Sequence, residues 1–132
     1  YGQQQSQEQI TDRLLDAIFH PYVNCIGHPT GRLINRRPAY KVDLQRVIDA
    51  AAENTTCLEI NANPWRLDLD DRLSAAAKEA GVKLAISTDA HTTMGLDVMR
   101  CGILQARRAG LEAGDVVNTR PLSALKEILQ KT

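Results

Sequence analysis

Net charge is the first thing this sequence lacks: Lys+Arg and Asp+Glu both total 16. A histone-like body or a polybasic arm is thereby excluded, so contact with nucleic acid has to come from a local patch. No apolar run approaches the ~20 residues of a bilayer-spanning helix. No Lys/Arg-led apolar stretch opens the chain as a secretory leader would, and no membrane partner is expected. The three cysteines, Cys25, Cys57 and Cys101, include no C-x-x-C pair. Their odd number argues against a disulfide framework or a zinc knuckle. Each lies in or beside an apolar stretch, so three reduced, buried thiols are expected, pointing to a cytoplasmic location. Internal repeats and long linkers are absent too. At 132 residues the chain has the size of one domain, 1–132, and not two. Tyr1 stands first in place of Met, as in a trimmed or processed chain.

What is present suits a packed core, with 43% hydrophobic and 24% charged residues. After a short polar run from Gln3 to Gln5, Ser6 and Gln9 resemble a capping box. Ile10, Leu14 and Ile18 then recur as an amphipathic stripe, and His20-Pro21 ends that helix. Tyr22 to Ile26 reads as a strand that finishes at Gly27-His28-Pro29. A basic loop from Thr30 to Tyr40 follows, and Asp43 caps a helix with Leu44, Val47, Ile48 and Ala51 on its core face. Cys57 to Asn61 reads as a second strand, closed by Pro64. Asp68 to Asp71 place negative charge at the start of the next helix, where the dipole favours it. Leu73, Ala76, Ala77 and Ala80 form its core face before Gly81. Val82 to Ser87 is a third strand. Thr92 or Thr93 caps a helix with Leu96, Met99, Ile103 and Ala106 on one face. A polar turn from Glu112 to Thr119 precedes a last helix bearing Leu122, Leu125, Ile128 and Leu129. Strands alternating with helices require a parallel sheet, so the class is α/β.

The polar residues collect at one edge of this pattern. His28 ends the first strand, Glu59 and Asn61 end the second, and Asp89 and His91 follow the third. In parallel α/β folds ligands bind at that edge, where the loops converge. Parity puts Glu59 with Asn61, and Ala85 with Ser87 and Asp89, on a small and polar face. Leu58, Ile60, Leu84 and Ile86 take the other. Two greasy faces would suit a flat doubly wound sheet; one polar face leans towards a barrel with a polar mouth.

His28, Asp89 and His91 are the candidate metal ligands, since imidazole and carboxylate suit Zn, Mn or Fe. Singly, His28 could be a turn histidine and Asp89 a helix cap; their shared edge is what favours metal. Glu59 reads as a hydrogen-bonded barrel residue more than a ligand, and His20 as a helix end. Arg32, then Arg36 and Arg37, could clamp a phosphate, or form an exposed basic loop. Trp65 reads as a loop anchor rather than a base-stacking residue.

Four segments now gain a further meaning: Ile26-Gly27-His28-Pro29-Thr30-Gly31-Arg32, Leu58-Glu59-Ile60-Asn61-Ala62-Asn63-Pro64, Leu67-Asp68-Leu69-Asp70-Asp71 and Ser87-Thr88-Asp89-Ala90-His91. In this order they resemble the PHP (polymerase and histidinol phosphatase) domain, most of all that at the C-terminus of bacterial family X DNA polymerases. The resemblance runs over essentially the whole chain, and implies the C-terminal half of that domain. It implies a partial (β/α) barrel, here with about three parallel strands and extra helices at the end. It also implies a metal-dependent phosphoesterase, in the parent context a 3′-to-5′ exonuclease on DNA. His28 matches the family's G-H-P ligand, and Asp89 and His91 its D-x-H pair. The implied cofactors are divalent metal ions, Mn or Zn first, then Mg or Fe. An H-x-H pair and other family ligands have no counterpart among the three histidines present.

Two other readings belong beside this one. A half-barrel could serve assembly or binding without catalysis, or the site could act on a small phosphomonoester of the histidinol-phosphate type. Opened sheet edges and uncovered apolar side chains, with no net charge to keep copies apart, lead us to expect a homodimer through the open face. The alternative is that the helix from Leu122 to Leu129 seals that face.

Overall fold

The Ser6 side chain accepts the Gln9 amide at 3.2 Å, while the Gln9 side chain accepts the Ser6 amide at 2.9 Å. This reciprocal cap starts α1 (Gln7–Phe19), which ends at His20 before Pro21. The computed structural model describes residues 4–131; Tyr1 and Gln3, noted above, lie outside the described residues. Three strands follow, β1 (Cys25–Ile26), β2 (Cys57–Asn61) and β3 (Leu84–Ser87), all parallel and ordered β1-β2-β3. Between them run α2 (Leu44–Glu53), capped by Asp43, and α3 (Asp71–Glu79), capped by Asp70. A 3₁₀ segment (Thr93–Val98) capped by Thr92 leads into α4 (Met99–Arg108). Two 3₁₀ turns (Ala113–Asp115 and Val117–Thr119) and α5 (Leu122–Leu129) complete the chain. The α/β class and the open, partial-barrel arrangement are therefore those expected.

The core lies between the sheet and its helices. Ile18, Val47, Ile48, Leu58, Ile60, Leu69 and Leu84 are almost wholly withdrawn from water, each worth about 1.5–3 kcal/mol of transfer free energy. Strand parity behaves as the sequence implies. In β3, Leu84 and Ile86 are buried, while Ala85 and Ser87 on the opposite face are half-buried. Among the described residues no helix is long and apolar enough to cross a membrane.

Four expectations need correction. The first strand is only two residues long, because the His20 turn consumes Tyr22 and Val23: their amides donate to His20 Nδ1 and His20 O at 3.2 and 3.1 Å. On the fourth helix the stripe through Leu96, Met99, Ile103 and Ala106 holds only in part: Ala106 is buried and Met99 packs against the core, whereas Leu96 and Ile103 face outward. Residues 93–98 form a 3₁₀ turn with three residues per turn, so counting from Leu96 drifts off the buried face. That face is Gly102, Gln105 and Ala106; Leu96 is 59% and Ile103 42% exposed. The segment from Glu112 to Thr119 is no simple polar turn, since Val116 and Val117 are buried and Val116 pairs with Leu84. Finally, Cys25 is exposed and Cys101 half-buried; only Cys57 is buried, and burial pushes its thiol above the ordinary range.

The last helix does not seal the sheet. None of its residues is fully buried. It packs on the turn at Val117–Thr119, and just beyond it the Lys131 ammonium donates to Ile18 O at 2.6 Å and His20 O at 3.1 Å. A cation thus satisfies carbonyls at the C-terminal end of α1, where the helix dipole favours it.

Candidate functional site

The carboxyl ends of the three strands are laced together by one side chain. The Glu59 carboxylate accepts the backbone N–H of His28 at 2.5 Å, the Ser87 hydroxyl, and the Asn61 amide at 3.5 Å. Its position follows from register: Glu59 is level with Ala85, and Asn61 with Ser87. Glu59 is therefore a hydrogen-bonded residue of the sheet end. Asn61 is fully buried, and its Oδ1 accepts the Asn63 amide at 3.0 Å. It shapes the turn after β2 and offers no surface to a ligand.

His28 and Asp89 both have left-handed backbones, with φ of 31° and 55°. Non-glycine residues adopt this region at a cost, and such strain gathers at functional positions. Both side chains belong to exposed residues. The Asp89 carboxylate lies 3.5 Å from Arg66 Nε. His91 Nδ1 is 2.7 Å from Asp89 O. A carbonyl only accepts, so this nitrogen carries the proton and Nε2 keeps the lone pair, the form a metal ligand needs.

Buried Asp68 holds the loop that presents His28. Its carboxylate accepts the Thr30 amide at 3.1 Å and the Gly31 amide at 3.0 Å. Burial raises its pKa, against these hydrogen bonds and the nearby Arg32 charge, which lower it. The sequence placed Asp68 at the helix dipole beside Asp70 and Asp71. It is instead a loop anchor, folded back because Asn61 and Asp68 pair through their backbones. Gly31 is the residue this turn needs, with φ of 63° and the Tyr40 ring against its α-carbon.

The arginines divide their tasks. Arg32 donates Nε to Arg66 O at 2.7 Å and Nη2 to Leu67 O, bracing the 66–67 turn. Arg37 donates Nε and Nη2 to Gly31 O at 3.0 and 2.7 Å and lies over the Tyr40 ring. Arg36 stacks over Trp65 at 5.2 Å, and Ile34 donates to Trp65 O at 2.7 Å, so Trp65 does anchor the loop. Arg32, Arg36 and Arg37 share a shallow groove. Only Arg37 of the three also lines the cleft beside His28.

Arg66 is the site residue that sequence reasoning missed. It lines that cleft with His28 and pairs with Asp89, linking two strand ends that no direct hydrogen bond joins. Its one signal was its place between residues 58–64 and 67–71, two of the segments that carry the family resemblance.

As a donor set, two imidazoles and a carboxylate fit a divalent metal of the Zn, Mn or Fe kind. Among the described residues, however, no three His, Cys, Asp or Glu side chains converge closely enough to hold an ion.

No protein-family model matches the chain. It is 42% identical over 127 residues to the DNA polymerase/3′-5′ exonuclease PolX of Bacillus subtilis (strain 168), covering 96% of this chain and 22% of that protein. It is 31% identical over 130 residues to a probable phosphatase of Thermoanaerobacter sp. (strain X514), covering 94% of this chain and 50% of that protein. A probable phosphatase of Caldanaerobacter subterraneus is 36% identical over 90 residues, 64% of this chain and 33% of its own length. The chain therefore spans half or less of the length of these curated relatives.

Proposed function

We propose that the chain, which resembles a PHP domain and is 42% identical to the PolX of Bacillus subtilis over 96% of its own length, is the phosphoesterase part of such a protein, a metal-dependent 3′-to-5′ exonuclease acting on DNA. The observation that carries this is that His28 and Asp89, both with left-handed backbones, stand at the carboxyl ends of β1 and β3 on either side of β2, whose Glu59 bonds to the His28 amide and the Ser87 hydroxyl. His28, Asp89 and His91 would hold a divalent ion, Mn or Zn in the first place, with further ligands from outside this stretch. Such an ion supplies Lewis-acid charge and an activated water. The protein's own residues do the positioning. Glu59 fixes the His28 backbone, the Asp89 carbonyl selects the His91 tautomer, and Asp68 holds the His28 loop. Arg32 keeps the 66–67 turn beside the cleft.

Incubation of the longer protein that carries this stretch with a 5′-labelled oligonucleotide and manganese tests the reading. Shortening from the 3′ end is expected, and Asp89→Ala should abolish it by removing a ligand. Activity that survives in Asp89→Ala, or metal found in anomalous scattering away from His28, Asp89 and His91, counts against it. The names of the phosphatase relatives favour a second reading, hydrolysis of a small phosphomonoester. Cleavage of a phosphomonoester without cleavage of the oligonucleotide would select that one.

A further inference from the structure

The cleft beside His28 has a volume of about 480 Å³ and is lined by Arg13, Arg37, Arg66, His28 and Tyr40 with a few apolar neighbours, and by no Asp or Glu. Three guanidinium groups line this concavity, with the Asp89 carboxylate beside Arg66 and that of Glu59 behind His28, so positive charge is in excess there. Arg66 is the most telling of them. Its side chain is only 19% exposed, and among the described residues its buried Nη1 has no hydrogen-bond partner. A buried donor without a partner is costly; Nη1 itself is sealed from the cleft, so an anion meets this guanidinium at its exposed edge. The same guanidinium presents Nε 3.5 Å from Asp89 Oδ2, so it is held in place from one side. Arg37 is held in the same way, by Gly31 O.

We propose that this cleft is an anion site in which Arg66, supported by Arg37, binds the phosphate of the substrate next to Asp89. The choice of phosphate as the anion rests on the phosphoesterase reading; the cationic cleft and the orphaned donor do not. Arg66 is then the guanidinium that contacts the phosphoryl group, while Arg32, bonded to the carbonyls of Arg66 and Leu67, positions it. A planar fork with one arm engaged and another free suits an oxyanion better than an ammonium would.

Inorganic phosphate titrated into the metal-free chain in EDTA tests this. Trp65 is the lone tryptophan and adjoins Arg66, so its fluorescence reports the site, with calorimetry as a second readout. Saturable binding is expected in the wild type. Arg66→Gln should weaken it by about tenfold or more, the effect of one lost charge-assisted hydrogen bond. Arg108→Gln, on an exposed residue paired with Asp71, should bind as the wild type does. Circular dichroism checks that each variant is folded. If Arg66→Gln does not fold, Arg66→Lys decides: weaker binding supports the site and wild-type affinity overturns it. A wild type that binds no phosphate, or a folded Arg66→Gln that binds it equally well, also overturns it. Phosphate binding alongside phosphoester hydrolysis that Asp89→Ala leaves unchanged would remove the phosphoesterase reading and leave the anion site. Hydrolysis by Arg66→Gln at the wild-type KM would do the reverse.

Discussion

Asp68 has no exposed surface and accepts the amides of Thr30 and Gly31, so the loop carrying His28 depends on a carboxylate forty positions further on. Asp68→Ala leaves two buried amides without an acceptor, and a loss of about 2–4 kcal/mol in chemical denaturation is expected. Asp68→Asn keeps one carbonyl oxygen and should lose less. The pH dependence has an unusual direction. Because burial raises the folded pKa of Asp68, the native state holds the proton more tightly than the unfolded chain. Its contribution to stability is therefore fullest below the unfolded value near 3.8 and falls as pH rises through the folded value. The difference in stability between wild type and Asp68→Asn should follow that fall, measured across mildly acidic pH. A difference that grows in the opposite direction would refute the assignment. Nothing in the local sequence distinguishes Asp68 from Asp70 or Asp71. The distinction comes from the chain folding back on Asn61.

Beyond β3 the sheet is finished without a fourth strand. The Asn118 side chain donates Nδ2 to Ile86 O at 2.8 Å and accepts Ile86 N–H at 3.1 Å through Oδ1. One amide side chain thus imitates a strand partner and blunts the edge. Asn118→Ala should cost about 1–2 kcal/mol and speed amide exchange at Ile86. Asn118→Asp should cost more, because a carboxylate not only lacks the donor but sets a negative charge against the Ile86 carbonyl oxygen. Equal stability of the two variants would count against this role. The helix caps at Ser6 and Asp43, and that at Thr92 or Thr93, were legible because capping is settled within four residues. Asn118 was not, since its value lies in meeting Ile86 across more than thirty positions of chain. Gly102 belongs with it. It looks like a weak spot in a helix, but a side chain there would meet Ile86 and Ala62, so it sets how closely α4 approaches the sheet.

At the scale of the molecule the two sheet edges differ. β3 is covered by Val116 and Asn118, whereas β1 pairs only with β2 among the described residues. Phe19 and Tyr22, just before β1, are largely exposed. Zero net charge offers no repulsion between copies. The homodimer expected from the sequence, through the open face, would place a second copy over this β1 side. Light scattering at micromolar concentration should give about twice 14.6 kDa. A clean mass of 14.6 kDa would sink the dimer, and a Tyr22→Lys variant should shift the equilibrium towards monomer.

By itself the sequence determined the order of helices and strands, the parallel sheet and the edge at which the polar residues gather. These follow from periodicity, caps and parity, all of which act over a few residues or alternate strictly along a strand. The tertiary structure alone decided which face α4 buries, because a 3₁₀ turn shifts the helix phase. It also decided that Asp68 anchors a loop and that Arg32 braces one. Arg66 acquires its place by the same means, since the neighbour that orients it, Asp89, arrives from another strand. A guanidinium has the same chemistry at every position in a sequence. Whether its hydrogens meet carbonyls, a carboxylate or an empty cleft depends on partners brought there only by folding.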